Sequence, residues 1–142
     1  MKTMNTQNQF KIIILEDNKL YNTILSAQLQ NHIEGLALDK GYSFDIQSYT
    51  HATDCLQNLK PDIEIAIVDY YLGGSENGLG VLKIINQKCP NCKVIIMSWD
   101  DNSKTSSQTL DAGACVFVHK DNTALMKICR LVEDIINERI RS

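Results

Sequence analysis

Four short apolar runs punctuate the chain: Ile12 to Leu15, Ile63 to Val68 (broken only by Glu64), Val94 to Met97, and Cys115 to Val118. Near-continuous runs of this length suit strands covered on both faces, as in a parallel sheet. Phe44 to Tyr49 differs, with Phe44, Ile46 and Ser48 alternating with Asp45, Gln47 and Tyr49, the pattern of a half-exposed edge strand. Helical spacing fills the intervals. Leu20, Ile24, Leu25, Leu29 and Ile33 form one stripe, and His51 to Leu59 and Leu79 to Gln87 each allow a short helix. Leu125, Ile128, Val132, Ile135 and Ile140 mark a C-terminal helix that Asn122 or Thr123 could cap. The stretch Ser103 to Ala112 is polar, with Leu110 and Ala112 nearly its only apolar residues, so a helix there would be held by little burial.

Strands alternating with helices predict an α/β fold with a doubly wound, five-stranded parallel sheet and helices on both faces, because right-handed crossovers place them there. Strand order 2-1-3-4-5 puts the alternating second strand at an edge, as its pattern asks. There is no repeat and no dividing linker, so residues 10–142 read as one domain after a polar tail at 1–9, expected to be disordered.

Composition removes several function classes. A net charge of −3 argues against a broad nucleic-acid surface, and Arg130, Arg139 and Arg141 are interleaved with Glu133, Asp134 and Glu138 as on a solvated helix face. No apolar run approaches the roughly 20 residues that cross a bilayer, and Met1 to Gln9 lacks the apolar core of an export signal, so a cytoplasmic location and no membrane partner are expected. Five cysteines, an odd number, make a disulfide framework unexpected in that setting. Cys89-Pro-Asn-Cys92 has redox spacing but falls between a helix and the next strand, and no second pair exists for zinc; it reads as a loop. His32, His51 and His119 fit no metal spacing.

The ends of the strands carry the chemistry. The first runs into Glu16 and Asp17, the third into Asp69, the fourth into Ser98, and the fifth into His119 and Lys120. Ligands of open α/β sheets bind beyond the carboxyl ends of the strands, so three carboxylates, a hydroxyl and an ammonium meet at one edge. Alone, Glu16 or Asp17 would read as a cap for a helix starting near Asn18, Ser98 as a strand-end hydroxyl, Lys120 as a surface lysine and Phe117 as core; together they define a site. Two carboxylates about 4 Å apart repel by roughly 4 kcal/mol at an effective dielectric of 20, so the cluster asks for a cation. Its oxygen-only ligands suit Mg2+, and with Lys120 added the same edge attracts a phosphoryl group, whose transfer needs chiefly positioning and charge neutralisation.

Leu-Glu-Asp after the first strand, Val-Asp-Tyr-Tyr-Leu-Gly-Gly after the third, Ile-Met-Ser after the fourth and Ala-Gly-Ala-Cys-Val-Phe-Val-His-Lys through the fifth resemble response-regulator receiver domains over about residues 10 to 140. The resemblance implies that Asp69 is the phosphoacceptor and that Asp17 and Asp69 ligate Mg2+ directly. Glu16 would act through water, and the Tyr71 backbone carbonyl would supply another oxygen. Ser98 and Lys120 would hold phosphoryl oxygens, and Phe117 would be the switch aromatic coupled to residues 103–112. It further implies a histidine kinase or histidine phosphotransfer protein as donor, a downstream protein target or a fused output domain, a dimer that forms on phosphorylation, and no direct nucleic-acid binding.

Three positions depart from that pattern. Asp121 follows Lys120 where the family has proline in a cis peptide, and cis before a non-proline residue costs about 2.5–4 kcal/mol, so either the loop is strained or Lys120 is presented differently. Gly73 replaces a common proline in a loop one residue longer before Gly78. Trp99, directly after Ser98, stands where a small residue is usual and is expected to cover the site in part. The departures keep alive a pseudo-receiver that signals without phosphate. A small Mg2+-dependent phosphatase is a second alternative, although the second acid such enzymes use would fall at Tyr71. A flavin carrier is disfavoured, since Glu16 and Asp17 would repel its phosphate.

Overall fold

The computed structural model describes residues 9–73 and 77–141. Five strands, β1 (Gln9–Leu15), β2 (Ser43–Tyr49), β3 (Ile65–Asp69), β4 (Lys93–Ser98) and β5 (Val116–His119), alternate with five helices, α1 (Lys19–Lys40), α2 (Ala52–Gln57), α3 (Gly78–Lys88), α4 (Ser103–Asp111) and α5 (Ala124–Arg141). The strands form one parallel sheet in the order β2-β1-β3-β4-β5. The doubly wound fold expected from the apolar runs is therefore the observed one. The polar tail expected at 1–9 is corrected at its end, because Gln9 already pairs with Ser43; the rest of that tail lies outside the described residues.

Period-two alternation explains how the central strands are buried twice. Ile12, Ile14, Ile65, Ile67, Ile95 and Met97 face α1 and α5, packing on Leu25, Leu29, Ile33, Ile128 and Val132. Ile13, Leu15, Ala66, Val68, Val94 and Ile96 face the other way, onto Cys55 of α2 and Val81, Leu82 and Ile85 of α3. β2 lies at the edge and is only partly covered, as its alternation requires.

One helix expectation is corrected. The apolar stripe of α1 was phased wrongly at its start: Leu20 is 71% exposed and Ile24 is also exposed, whereas Tyr21 and Asn22 face the core ahead of Leu25 and Leu29. Asn18 caps the helix through its side-chain oxygen, which accepts from the Tyr21 amide at 2.9 Å. At the start of α5, Thr123, one of the two expected caps, holds the N-cap position, its carbonyl accepting from the Lys127 amide at 3.0 Å. Asp121 braces the turn before it, its Oδ1 accepting from the Thr123 amide at 2.8 Å and the Thr123 hydroxyl at 2.6 Å.

The expectation for α4 holds. Its buried residues are Thr105 and Thr109, while Leu110 turns outward. Cys89 and Cys92 close a turn between α3 and β4, with the Cys92 amide donating to the Cys89 carbonyl at 3.0 Å, and all five cysteines are free thiols. Burial pushes the Cys92 thiol up to about 12, so this pair lacks the acidic thiol of a redox motif. No described helix is long and apolar enough to cross a membrane.

Candidate functional site

The carboxyl ends of β1, β3, β4 and β5 converge, because a parallel sheet turns every strand's end to the same edge. Glu16, Asp17 and Asp69 each offer an oxygen within 4.8 Å of the others. Glu16 and Asp69 are buried while Asp17 is exposed, so the cluster opens to solvent through Asp17.

Glu16 is set back and fully engaged. Its Oε2 accepts from the Asn18 amide at 3.0 Å, and its Oε1 accepts from Lys120 Nζ. The chain around it is tied down as well. The Glu16 amide donates to the Tyr49 carbonyl, and Asn22 Nδ2 donates to both the Glu16 and Tyr49 carbonyls, at 3.1 and 2.9 Å. The carboxylate thus belongs to a frame joining β1, β2 and α1.

Lys120 is 1% exposed and reaches inward from the end of β5. Its ammonium lies 3.2 Å from Asp69 Oδ1 as well as touching Glu16. The Lys120 amide donates to the Ser98 carbonyl at 2.7 Å, which ties the ends of β4 and β5. The described backbone contains no cis peptide, so Lys120–Asp121 is trans, and of the two alternatives left open at this loop the strained one is not taken.

Asp69 Oδ1, despite its ion pair, has no hydrogen-bond partner among the described residues. Burial, and after it the negative charge of Glu16, push the Asp69 carboxyl up to about 8, and Lys120 opposes the shift only in part. A carboxylate held so far from its ordinary range calls for further positive charge. A divalent cation bound by Asp17 and Asp69 fits that need and the oxygen-only donor set.

The remaining expected residues surround this centre. Ser98 is fully buried at the end of β4, its Oγ accepting from the Asp100 amide at 3.0 Å. Phe117 is half-buried on the α3 side of the sheet, opposite Ile96. Trp99 is 63% exposed; its ring stands edge-on to Tyr21, and its centroid lies 5.4 Å from Lys120 Nζ. Tyr71 bridges to Asn77, and its hydroxyl donates to Asp100 Oδ2 at 2.8 Å, joining the loop after β3 to the loop after β4. Gly73 donates its amide to Asp17 Oδ2 at 3.2 Å. The rest of the loop that was expected to be longer, residues 74–76, lies outside the described residues.

Two residues near the centre were missed in the sequence. Tyr21 lies beside Lys120, with the ammonium 4.7 Å from its ring centroid, and its hydroxyl is buried without a partner among the described residues. Stepping back by fours from Ile33 through Leu29 and Leu25 reaches Tyr21, so the helical period held the signal. Asp100 offered no such signal; only the folded loop brings it to Tyr71.

A family model described as the response regulator receiver domain matches residues 12–132, and the chain belongs to that family. A putative two-component response regulator, ARR13, of Arabidopsis thaliana is 30% identical over 116 residues, covering 79% of this chain and 18% of that protein. A putative response regulator, NtrX-like, of Rickettsia typhi is 28% identical over 114 residues, covering 80% of this chain and 22% of that one. The chain therefore spans about a fifth of the length of these relatives. Among solved structures, the BeF3-activated DrrB receiver domain superposes with a TM-score of 0.73 at 16% identity, covering 91% of this chain and 98% of that one. A receiver domain from Clostridium thermocellum gives 0.74 at 15% identity, covering 92% and 96%. At such identity these two likenesses speak for the fold alone.

Proposed function

We propose that Asp69 accepts a phosphoryl group from the phosphohistidine of a histidine kinase or phosphotransfer protein. The observation that carries this reading is the buried Lys120 ammonium 3.2 Å from Asp69 Oδ1, inside a cluster of three carboxylates. An Asp69 oxygen attacks phosphorus, the P–N bond breaks, and its electron pair leaves with the donor imidazole. Asp17, Asp69 and the Tyr71 carbonyl would hold Mg2+, and Glu16 would act on it through water. The metal supplies neutralising charge at the phosphoryl oxygens. Lys120 and the Ser98 hydroxyl bind those oxygens as the group arrives.

Ser98 is the first element of the switch. Its hydroxyl accepts from the Asp100 amide and can donate its proton to a phosphoryl oxygen at the same time, so a move toward that oxygen vacates space and pulls on the loop leading into α4. Phe117 then turns toward the vacated space, and α4, secured by two buried threonines, shifts its surface. A protein target, a fused output domain or a second copy of this chain reads the new surface. Five free thiols agree with a reducing, cytoplasmic setting. Trp99 covers the Lys120 side of the site and slows both small donors and water.

The test is direct. Incubation with Mg2+ and acetyl phosphate or a phosphorylated kinase adds one phosphoryl group by intact mass, and Asp69→Asn abolishes it. No adduct from any donor would move the assignment to a pseudo-receiver.

A further inference from the structure

The hydroxyl of Tyr21 is buried and has no hydrogen-bond partner among the described residues. That is costly, because a desolvated donor left unmade forfeits the bond it had with water, and phenylalanine would fill the same place without the loss. The position is fixed by structure: the Tyr21 amide is bonded to the Asn18 cap, and the ring is wedged between Lys120 Nζ, 4.7 Å from its centroid, and the indole of Trp99, 5.8 Å away. Burial, and after it the negative charges of Glu16, Asp69 and Asp121, hold the Tyr21 phenol above its ordinary range, so it stays protonated and a donor.

The resting site offers this donor little. Both Glu16 oxygens are already occupied, by Lys120 and the Asn18 amide. The companion orphan is Asp69 Oδ1, the phosphoacceptor's own atom. A phosphoryl group on Asp69 would bring three strong acceptor oxygens into this neighbourhood. We infer that Tyr21 is a phosphoryl-binding residue: its ring seats the Lys120 ammonium, and its hydroxyl donates to an oxygen of the group carried by Asp69. This rests on the phosphoacceptor reading above and adds to it a donor from α1.

The experiment titrates the full chain with beryllofluoride in excess Mg2+ by calorimetry, comparing wild type, Tyr21→Phe and Tyr21→Leu. Tyr21→Phe keeps the ring and loses the donor; it should weaken beryllofluoride about tenfold, the worth of one hydrogen bond to a charged acceptor. Its affinity for Mg2+ alone should stay within about twofold of wild type, and its metal-free melting temperature should be equal or higher. Tyr21→Leu, which also releases Lys120, should bind beryllofluoride more weakly still. Wild-type affinity in Tyr21→Phe overturns the inference, as does a lowered metal-free melting temperature, which would mean that the hydroxyl is already bonded at rest. Equal loss of Mg2+ and beryllofluoride affinity also overturns it, by placing the contact on a metal-bound water. A wild-type chain that binds no beryllofluoride and takes no phosphoryl fails at the earlier step, and the phosphoacceptor reading falls with it.

Discussion

Lys120 Nζ stands 3.2 Å from Asp69 Oδ1 yet makes its hydrogen bond to Glu16. The lysine is thus anchored on one acid and shared with the other. Removing a single partner from a buried pair leaves an uncompensated charge, which is typically worth 3–5 kcal/mol. Lys120→Met should therefore lower unfolding stability by about 3 kcal/mol in denaturant titrations, and adding Glu16→Gln should recover a large part of that loss. Two additive losses would show that the pair is not coupled.

The raised Asp69 carboxyl sets a pH dependence with a definite sign. In the unfolded chain the group ionises in the ordinary range near 3.8, whereas in the fold it does so near 8. Between those values the folded state holds the extra proton, so this group's contribution to stability falls as pH rises through the window. Mg2+ should relieve the repulsion. The gain in melting temperature on adding Mg2+ should be larger at pH 8 than at pH 5.5, and Asp69→Asn should flatten the metal-free slope. A Mg2+ effect independent of pH would contradict the assignment.

Trp99 lies over the Tyr21 and Lys120 side of the centre and remains largely exposed. Trp99→Ala should speed loss of phosphate from Asp69 several-fold, measured as the decay of the adduct in Mg2+ buffer, with stability changed by less than about 1 kcal/mol because so much of the ring is already in water. An unchanged decay rate would remove the role of the indole as a cover. In the intact chain its fluorescence, the only tryptophan signal, should respond to Mg2+.

Gly78 opens α3 where no side chain fits: a Cβ there would lie 2.6 Å from the Tyr70 Cα and 2.7 Å from the Asp69 carbonyl oxygen, both backbone atoms. Its amide donates to the Tyr70 carbonyl at 2.7 Å. Gly78→Ala should destabilise the domain by at least about 2 kcal/mol and weaken Mg2+ binding, since the backbone that must give way carries Asp69. Normal stability with normal Mg2+ affinity would show that the loop yields without cost.

Hydrogen exchange should rank the helices. The amides of α4 should exchange faster than those of α5, because α4 buries two threonines while α5 buries Ala124, Ile128, Val132 and Ile136. Equal protection would mean that α4 is held by more than its burial indicates.

The sheet and its order were legible because Ile12 to Leu15, Val94 to Met97 and their like are buried on both faces, a property that local sequence records directly. The convergence of the candidate residues was legible for a related reason, since Glu16, Asp17, Asp69, Ser98 and Lys120 each end or follow a strand whose end is marked by loss of hydrophobicity. Helix phase was harder. Leu20 and Ile24 are as apolar as the residues of the buried stripe, but the face that carries Leu25, Leu29 and Ile33 continues back through Tyr21 and Asn22, whose side-chain amide bonds the Glu16 and Tyr49 carbonyls. The Tyr71–Asp100 contact joins two loops 29 residues apart, and no local pattern encodes such a meeting. Asp121 was noticed only as a missing proline; its hydrogen bonds to Thr123 show that it braces the turn leading into α5.

The two buried threonines of α4 also set the scale of a switch. Inverting a population from about 1:99 to 99:1 takes a differential of roughly 5.5 kcal/mol between two states. Hydrogen bonds to a charged group supply roughly 1.5–3 kcal/mol each, so two to four donors aimed at one phosphoryl group match that figure. A helix sealed by leucines would place the second state far beyond such a sum. With threonines in their place, the energy of one small anion is commensurate with the movement of a whole helix.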